Sequence, residues 1–251
     1  MGNLIKMDWY KLRTSLFFNV MLIVTFVINL ACAIAFPVIT RMFMPNSAVQ
    51  EIQFSSILAK PMALDILPIL MLISLVSFSY SDNANGFIKN IAGQLPNKGY
   101  IVISKFVVSA IHNLIFMVAL FISTTIGAFV TGKVVFDNDI PAGIATFFIK
   151  WLITLAFSAI LLFITTGLRN KIFASILGVL LGSGFLSLVY LGLNTLFQYK
   201  IDINAYAPDM LFTQVNAITN VFILNAILVS VICIAVFIPL SYKIINMRDV
   251  K

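Results

Sequence analysis

Six separate stretches of this chain are long and apolar enough to cross a bilayer, and that decides most of what it can fold into. They cover residues 16–40, 61–80, 106–131, 144–168, 172–197 and 216–242. A hydrocarbon core about 30 Å thick needs roughly 20 mainly apolar residues at 1.5 Å rise each. Lipid offers backbone groups no water, so each stretch must satisfy its hydrogen bonds internally as a helix. The alternating ten-residue segments of a membrane β-barrel are absent from the sequence. The expected fold is all-α: a single transmembrane domain over residues 1–251 with six spanning helices.

Composition excludes most soluble chemistry. Hydrophobic residues make up 61% of the chain and charged residues only 10%. With one histidine, His112, no two-histidine metal site can form within the chain. Glu51 is the only glutamate, which argues against a paired-glutamate intramembrane protease. Cys32 and Cys233 both fall inside spans and read as small apolar residues.

An even number of spans puts both termini on one side. That side carries eleven Lys and Arg against Asp8, Asp82 and Asp249; the other carries five against six acidic residues. The positive-inside rule therefore predicts cytoplasmic termini. The first apolar run continues to Ile39, too long for a signal core, so it is expected to remain as an uncleaved span.

Gly127-Ala-Phe-Val-Thr-Gly132-Lys133 imitates a phosphate-binding loop, but Val134 stands where Ser or Thr must bind magnesium. The stretch reads as a helix end, and the chain is expected to bind no cofactor of its own. Asp65 and Lys150 enter the second and fourth spans from the non-terminal side. Lys150 is expected to snorkel outward beside an interfacial Trp151.

Ala174, Gly178 and Gly182 repeat every four residues and predict a close helix–helix contact in the fifth span, with a partner in this chain or a second one. His112 and Asn113 form a polar pair in the third span. Thr154 and Ser158 lie in the fourth, Asn19 and Asn29 in the first, and Ser183, Ser187, Tyr190 and Asn194 in the fifth. Such groups either hold helices together or line a translocation path.

Residues 3–13 place Leu4, Ile5, Trp9 and Leu12 on one helical face opposite Lys6, Tyr10 and Arg13, with Asp8 interrupting the apolar side. This predicts an interfacial helix before the first span. Between the second and third spans, Phe87, Ile88, Ile91 and Leu95 recur with helical spacing, and Pro96 stops the run. Lys98 and Lys105 follow.

On these features the chain resembles the permease subunit of type-2, export-type ABC transporters, particularly short Gram-positive permeases of the bacteriocin-immunity and peptide-export kind. The shared pattern is six spans, an N-terminal elbow helix, and a loop reading Gly86, Leu95, Pro96, Lys98 and Lys105. Where the family usually carries a Glu before the glycine, this sequence offers Asp82 and Asn85. The resemblance implies a non-catalytic subunit in a bacterial cell membrane. Its partners would be a cytoplasmic ABC ATPase dimer, which holds the ATP and magnesium, and a second permease, identical or homologous. Gly86, Phe87, Ile88, Ile91, Leu95, Pro96 and Lys98 would couple the ATPase to the spans, and an amphipathic or hydrophobic substrate such as an antimicrobial peptide would be exported. The alternatives are an ATPase-independent immunity or sensor protein and a secondary carrier. Nothing in the sequence suggests a nucleic-acid partner.

Overall fold

The computed structural model describes residues 1–43, 51–84, 97–196, 203–213 and 220–247. The chain begins with α1 (Gly2–Thr14), which stops at Ser15, whose extended backbone separates it from α2 (Leu16–Phe43). There follow β1 (Glu51–Gln53), α3 (Phe54–Ala59), α4 (Pro68–Ala84), α5 (Tyr100–Thr131) and β2 (Lys133–Val135). Next come α6 (Ile140–Leu162), a π-helical turn (Phe163–Leu168), α7 (Lys171–Ser183) and α8 (Ser187–Leu196). A 3-10 turn (Ile203–Tyr206), α9 (Pro208–Thr213) and α10 (Asn220–Met247) complete it.

By length and apolarity, α2, α5, α10 and α6 with its continuation to Thr166 suffice to cross a membrane. α4 is apolar over Pro68–Asp82 but shorter, and α7 and α8 together make a bent candidate. The all-α membrane class is as the sequence predicts. Two of the expected spans differ from simple rods.

The stretch 61–80 does not begin as a helix. Helix α4 starts only at Pro68, a residue suited to the first helical turn because its missing N–H costs nothing there. The turns before it are tied to neighbouring helices: Ala63 N–H donates to Asn29 Oδ1 at 2.8 Å, and Thr124 Oγ1 donates to the Pro61 carbonyl at 3.0 Å.

The stretch 172–197 is broken. α7 and α8 meet at 77°. Gly184 takes the left-handed conformation at φ +66°, which a glycine adopts without strain and which ends a helix. Ser183 Oγ accepts from Phe185 N–H at 3.2 Å across the corner. The polar stripe Ser183, Ser187, Tyr190 and Asn194 therefore turns with the chain and does not run along one rod.

One end of the bundle gathers α1, the last turn of α4, the first turns of α5 and the end of α10. There Gly99 N–H donates to Asn246 Oδ1 at 2.8 Å and Asn97 Nδ2 to the Tyr242 hydroxyl at 2.5 Å. The opposite end carries the parallel pair β1–β2, with Ile52 beside Val134, and Ser55 N–H donating to Asp137 Oδ1 at 3.1 Å. Between the ends lies an apolar core that includes Met71, Leu72 and Leu75 of α4, Phe116 and Leu120 of α5, and Ile153, Phe157 and Leu161 of α6.

Candidate functional site

At the end bearing α1, charge is buried where three elements meet. Asp82, in the last turn of α4, is 4% exposed. Lys11 of α1 places its Nζ 2.9 Å from Asp82 Oδ1, and Lys105 of α5 places its own 2.9 Å from Oδ2. The Lys105 ammonium also lies 5.0 Å from the centre of the Phe78 ring. Beside it, Ser104 Oγ donates to Asp8 Oδ2 at 2.5 Å. Burial pushes the Asp8 carboxyl above its ordinary value, although Lys105 and the Ser104 hydrogen bond pull the other way. Two lysines and two aspartates thus balance in charge and bind α1, α4 and α5 into one block. Sequence reasoning placed Lys105 in a loop; it lies inside α5. The interruption of the apolar face of α1 by Asp8 was the visible signal of this cluster.

A second polar group sits in the middle of the bundle. His112 Nε2 is 3.1 Å from Ser74 Oγ of α4, and Nδ1 is 3.0 Å from Asn113 Oδ1. Asn113 Nδ2 donates to the Thr154 carbonyl at 3.0 Å and to Ser158 Oγ at 2.8 Å, both on α6. The His112 ring packs 5.4 Å from Phe18 and 4.8 Å from Phe116, centre to centre. Both ring nitrogens are engaged, so the pair joins α4, α5 and α6. Hydrogen bonds of this kind contribute around 0.6 kcal/mol each in measured helical membrane proteins.

Asn29 performs the same service for α2. Its Nδ2 lies 3.0 Å from the Leu120 carbonyl, 2.6 Å from Ser123 Oγ and 2.8 Å from Thr124 Oγ1, three acceptors that share its two hydrogens, while its Oδ1 accepts from the Ala63 N–H. Asn19 differs: it is exposed, and its Nδ2 donates to the Arg13 carbonyl at 3.3 Å. Ser187 opens α8 and is half-buried.

The small-residue stripe meets a helix of its own chain. A Cβ added at Gly182 would stand 2.7 Å from Ile69 N and 2.9 Å from Ile69 Cα, so α7 and the start of α4 touch backbone to backbone. Gly178 has more room, with Leu72 Cβ at 3.6 Å. Ala174 is fully buried. The phosphate-loop imitation is a helix end, as its sequence context implied: Gly127 packs on Ala33 and Gly132 terminates α5.

Lys150 does not snorkel outward, and Trp151 beside it is half-buried. Lys150 is 1% exposed, and Trp151 Nε1 donates to the Ala110 carbonyl of α5 at 3.1 Å. Helix α5 holds the Trp151 indole through that bond, while the Lys150 ammonium faces Phe212 of α9. Asp65 is exposed and paired with Lys60 at 3.1 Å.

Of the residues expected to couple to an ATPase, Gly86, Phe87, Ile88, Ile91, Leu95 and Pro96 lie outside the described residues. Lys98 is half-buried just before α5, and its carbonyl accepts from Ile101 N–H at 3.2 Å. No group of three or more His, Cys, Asp or Glu side chains suited to a metal occurs among the described residues.

Long apolar helices tied by buried polar groups define a multi-pass helical membrane protein. The family model described as ABC-2 family transporter protein matches residues 4–184. No match is found among curated proteins. The chain belongs to the ABC-2 transporter family and is its transmembrane component, which implies association with an ABC ATPase.

Proposed function

We propose that this chain is the permease subunit of an ATP-driven exporter that moves an amphipathic or hydrophobic substrate, such as an antimicrobial peptide, across a bacterial cell membrane. It acts with a cytoplasmic ATPase dimer and a second permease, and catalyses no chemistry itself; ATP and magnesium belong to the ATPase. Six spans, with the bent α7–α8 pair and α4 as two of them, leave both termini cytoplasmic, and α1 lies in the interface as an elbow. Residues 85–95 dock on the ATPase through Phe87, Ile88 and Ile91.

The observation that carries this reading, beyond family membership, is the buried ionic cluster. It fastens the last turn of α4 to α1 and α5 just ahead of residues 85–95. A push on that loop is then delivered to three elements together.

Co-purification tests it. The intact complex is expected to contain an ATPase whose hydrolysis rises with substrate. Ile88→Asp and Ile91→Asp put a carboxylate where an apolar contact is needed, a loss of roughly 1.5–3 kcal/mol of burial plus the cost of desolvating the charge. Both variants should insert normally yet lose ATPase binding or transport, while Lys6→Ala, an exposed change, should keep both. Retention of binding and transport by the aspartate variants would move a sensor, immunity or carrier role ahead.

A further inference from the structure

Lys150 stands ten residues after Ile140 in α6, about 15 Å along the helix axis. It is among the largest fully buried side chains of the protein. Lys105, equally buried, has Asp82 as its counter-charge at 2.9 Å. No carboxylate among the described residues forms an ion pair with Lys150. Its ammonium lies 5.9 Å from the centre of the Phe212 ring on α9.

Among the described residues, the charged groups that act on Lys150 are Lys60 and Asp65. Those two are already paired with each other at 3.1 Å, and the Asp65 side chain is 54% exposed. Asp209, buried on α9 one turn before Phe212, accepts from the Tyr190 hydroxyl at 2.9 Å, and its Oδ2 has no hydrogen-bond partner. Lys150 therefore has no ion-pair partner of its own among the described residues. A buried cation inside a membrane bundle is costly, and groups of this kind mark substrate and ion pathways. A lysine ammonium offers three donors as a compact charge, a chemistry that suits phosphate.

We propose that Lys150 is the receiving charge of a phosphate-binding site inside the bundle. Phe212 of α9 covers it, and the Lys60–Asp65 pair borders it. Phe157 lies 5.9 Å beyond the Phe212 ring, so an apolar wall continues below the ammonium for the hydrocarbon of a phosphate-bearing amphiphile. The site stands whether or not the chain works with an ATPase.

The full chain, purified in neutral detergent, is heated with phosphatidylglycerol, with phosphatidylcholine, or with inorganic phosphate at constant ionic strength. Phosphatidylglycerol is expected to raise the unfolding midpoint of the wild type by about 3 °C or more over phosphatidylcholine. Lys150→Arg should keep the rise and Lys150→Met should lose it. A rise with phosphatidylglycerol alone assigns a lipid headgroup; a rise with inorganic phosphate assigns the free anion. If the wild type responds to neither probe, or Lys150→Met keeps the full response, the site does not exist. Should Lys150→Met fail to fold, the wild-type and Lys150→Arg responses decide by themselves.

Discussion

Asp82 and Lys105 come from different helices and meet at 2.9 Å, carboxylate oxygen to ammonium, with side chains 5% and 1% exposed. The pair is buried as deeply as the apolar core around it, and Lys11 supplies the second oxygen with its own donor. Removing one partner of a buried pair leaves an uncompensated charge, at a cost of about 3–5 kcal/mol, whereas replacing both with apolar groups is often neutral. Asp82→Asn and Lys105→Met should each lower the unfolding midpoint in detergent strongly. The double variant should recover much of the loss. Strictly additive losses would show that the two residues do not act as a pair.

Asp8 gives a pH dependence with a definite sign. Burial raises its carboxyl above the ordinary 3.8. The folded chain then holds that proton more tightly than the unfolded one, so acidification through the raised folded value adds stability, and the gain is complete below 3.8. Asp8→Asn removes this titration and keeps an acceptor for Ser104. At neutral pH the variant should be at least as stable as the wild type. Its advantage should shrink as pH falls toward 4, measured as the difference between the two unfolding midpoints. An advantage that grows on acidification contradicts the assignment.

Orientation follows from the charge asymmetry. Asn138 is exposed at the β1–β2 end, and Lys171 is exposed at the start of α7, near the opposite end. In a chain with Cys32 and Cys233 replaced by alanine, Asn138→Cys should react with an impermeant thiol reagent on intact cells. Lys171→Cys should react only after permeabilisation. The reverse pattern would invert the topology and place residues 85–95 outside.

The helical class and the polar pair at His112 and Asn113 were legible because they depend on local runs of apolar residues and on the scarcity of alternatives. The bend at Gly184 was less so: apolarity alone does not distinguish a straight rod from two helices joined by a left-handed glycine. Lys105 and Lys150 were misplaced for one physical reason. Sequence counts distance from the end of an apolar run, while burial depends on which neighbours stand beside it. α4 brings Asp82 to Lys105, and α9 brings Phe212 over Lys150; neither arrangement is a property of the residue's own helix. The glycine stripe announced a close contact, and only the fold names α4 as its partner.

That contact yields the sharpest packing test, because two glycines on one face differ in what they meet. A methyl group at Gly182 would stand 2.7 Å from Ile69 N and 2.9 Å from Ile69 Cα, backbone atoms fixed just inside the start of α4. A methyl group at Gly178 would meet Leu72 Cβ at 3.6 Å and the Leu161 methyls at 3.9 Å, ordinary contact distances. Gly182→Ala must push α7 away from α4, an overpacking cost of about 1–3 kcal/mol. Gly178→Ala should be neutral, or gain up to about 1 kcal/mol from the lower backbone entropy of alanine in a helix. Gly178→Leu, which cannot be accommodated at those distances, should resemble Gly182→Ala or be worse. The measurement is the unfolding midpoint of each purified variant in the same detergent. Equal midpoints for the two alanine variants would mean that α7 and α4 do not approach as closely at Gly182 as the structure has them.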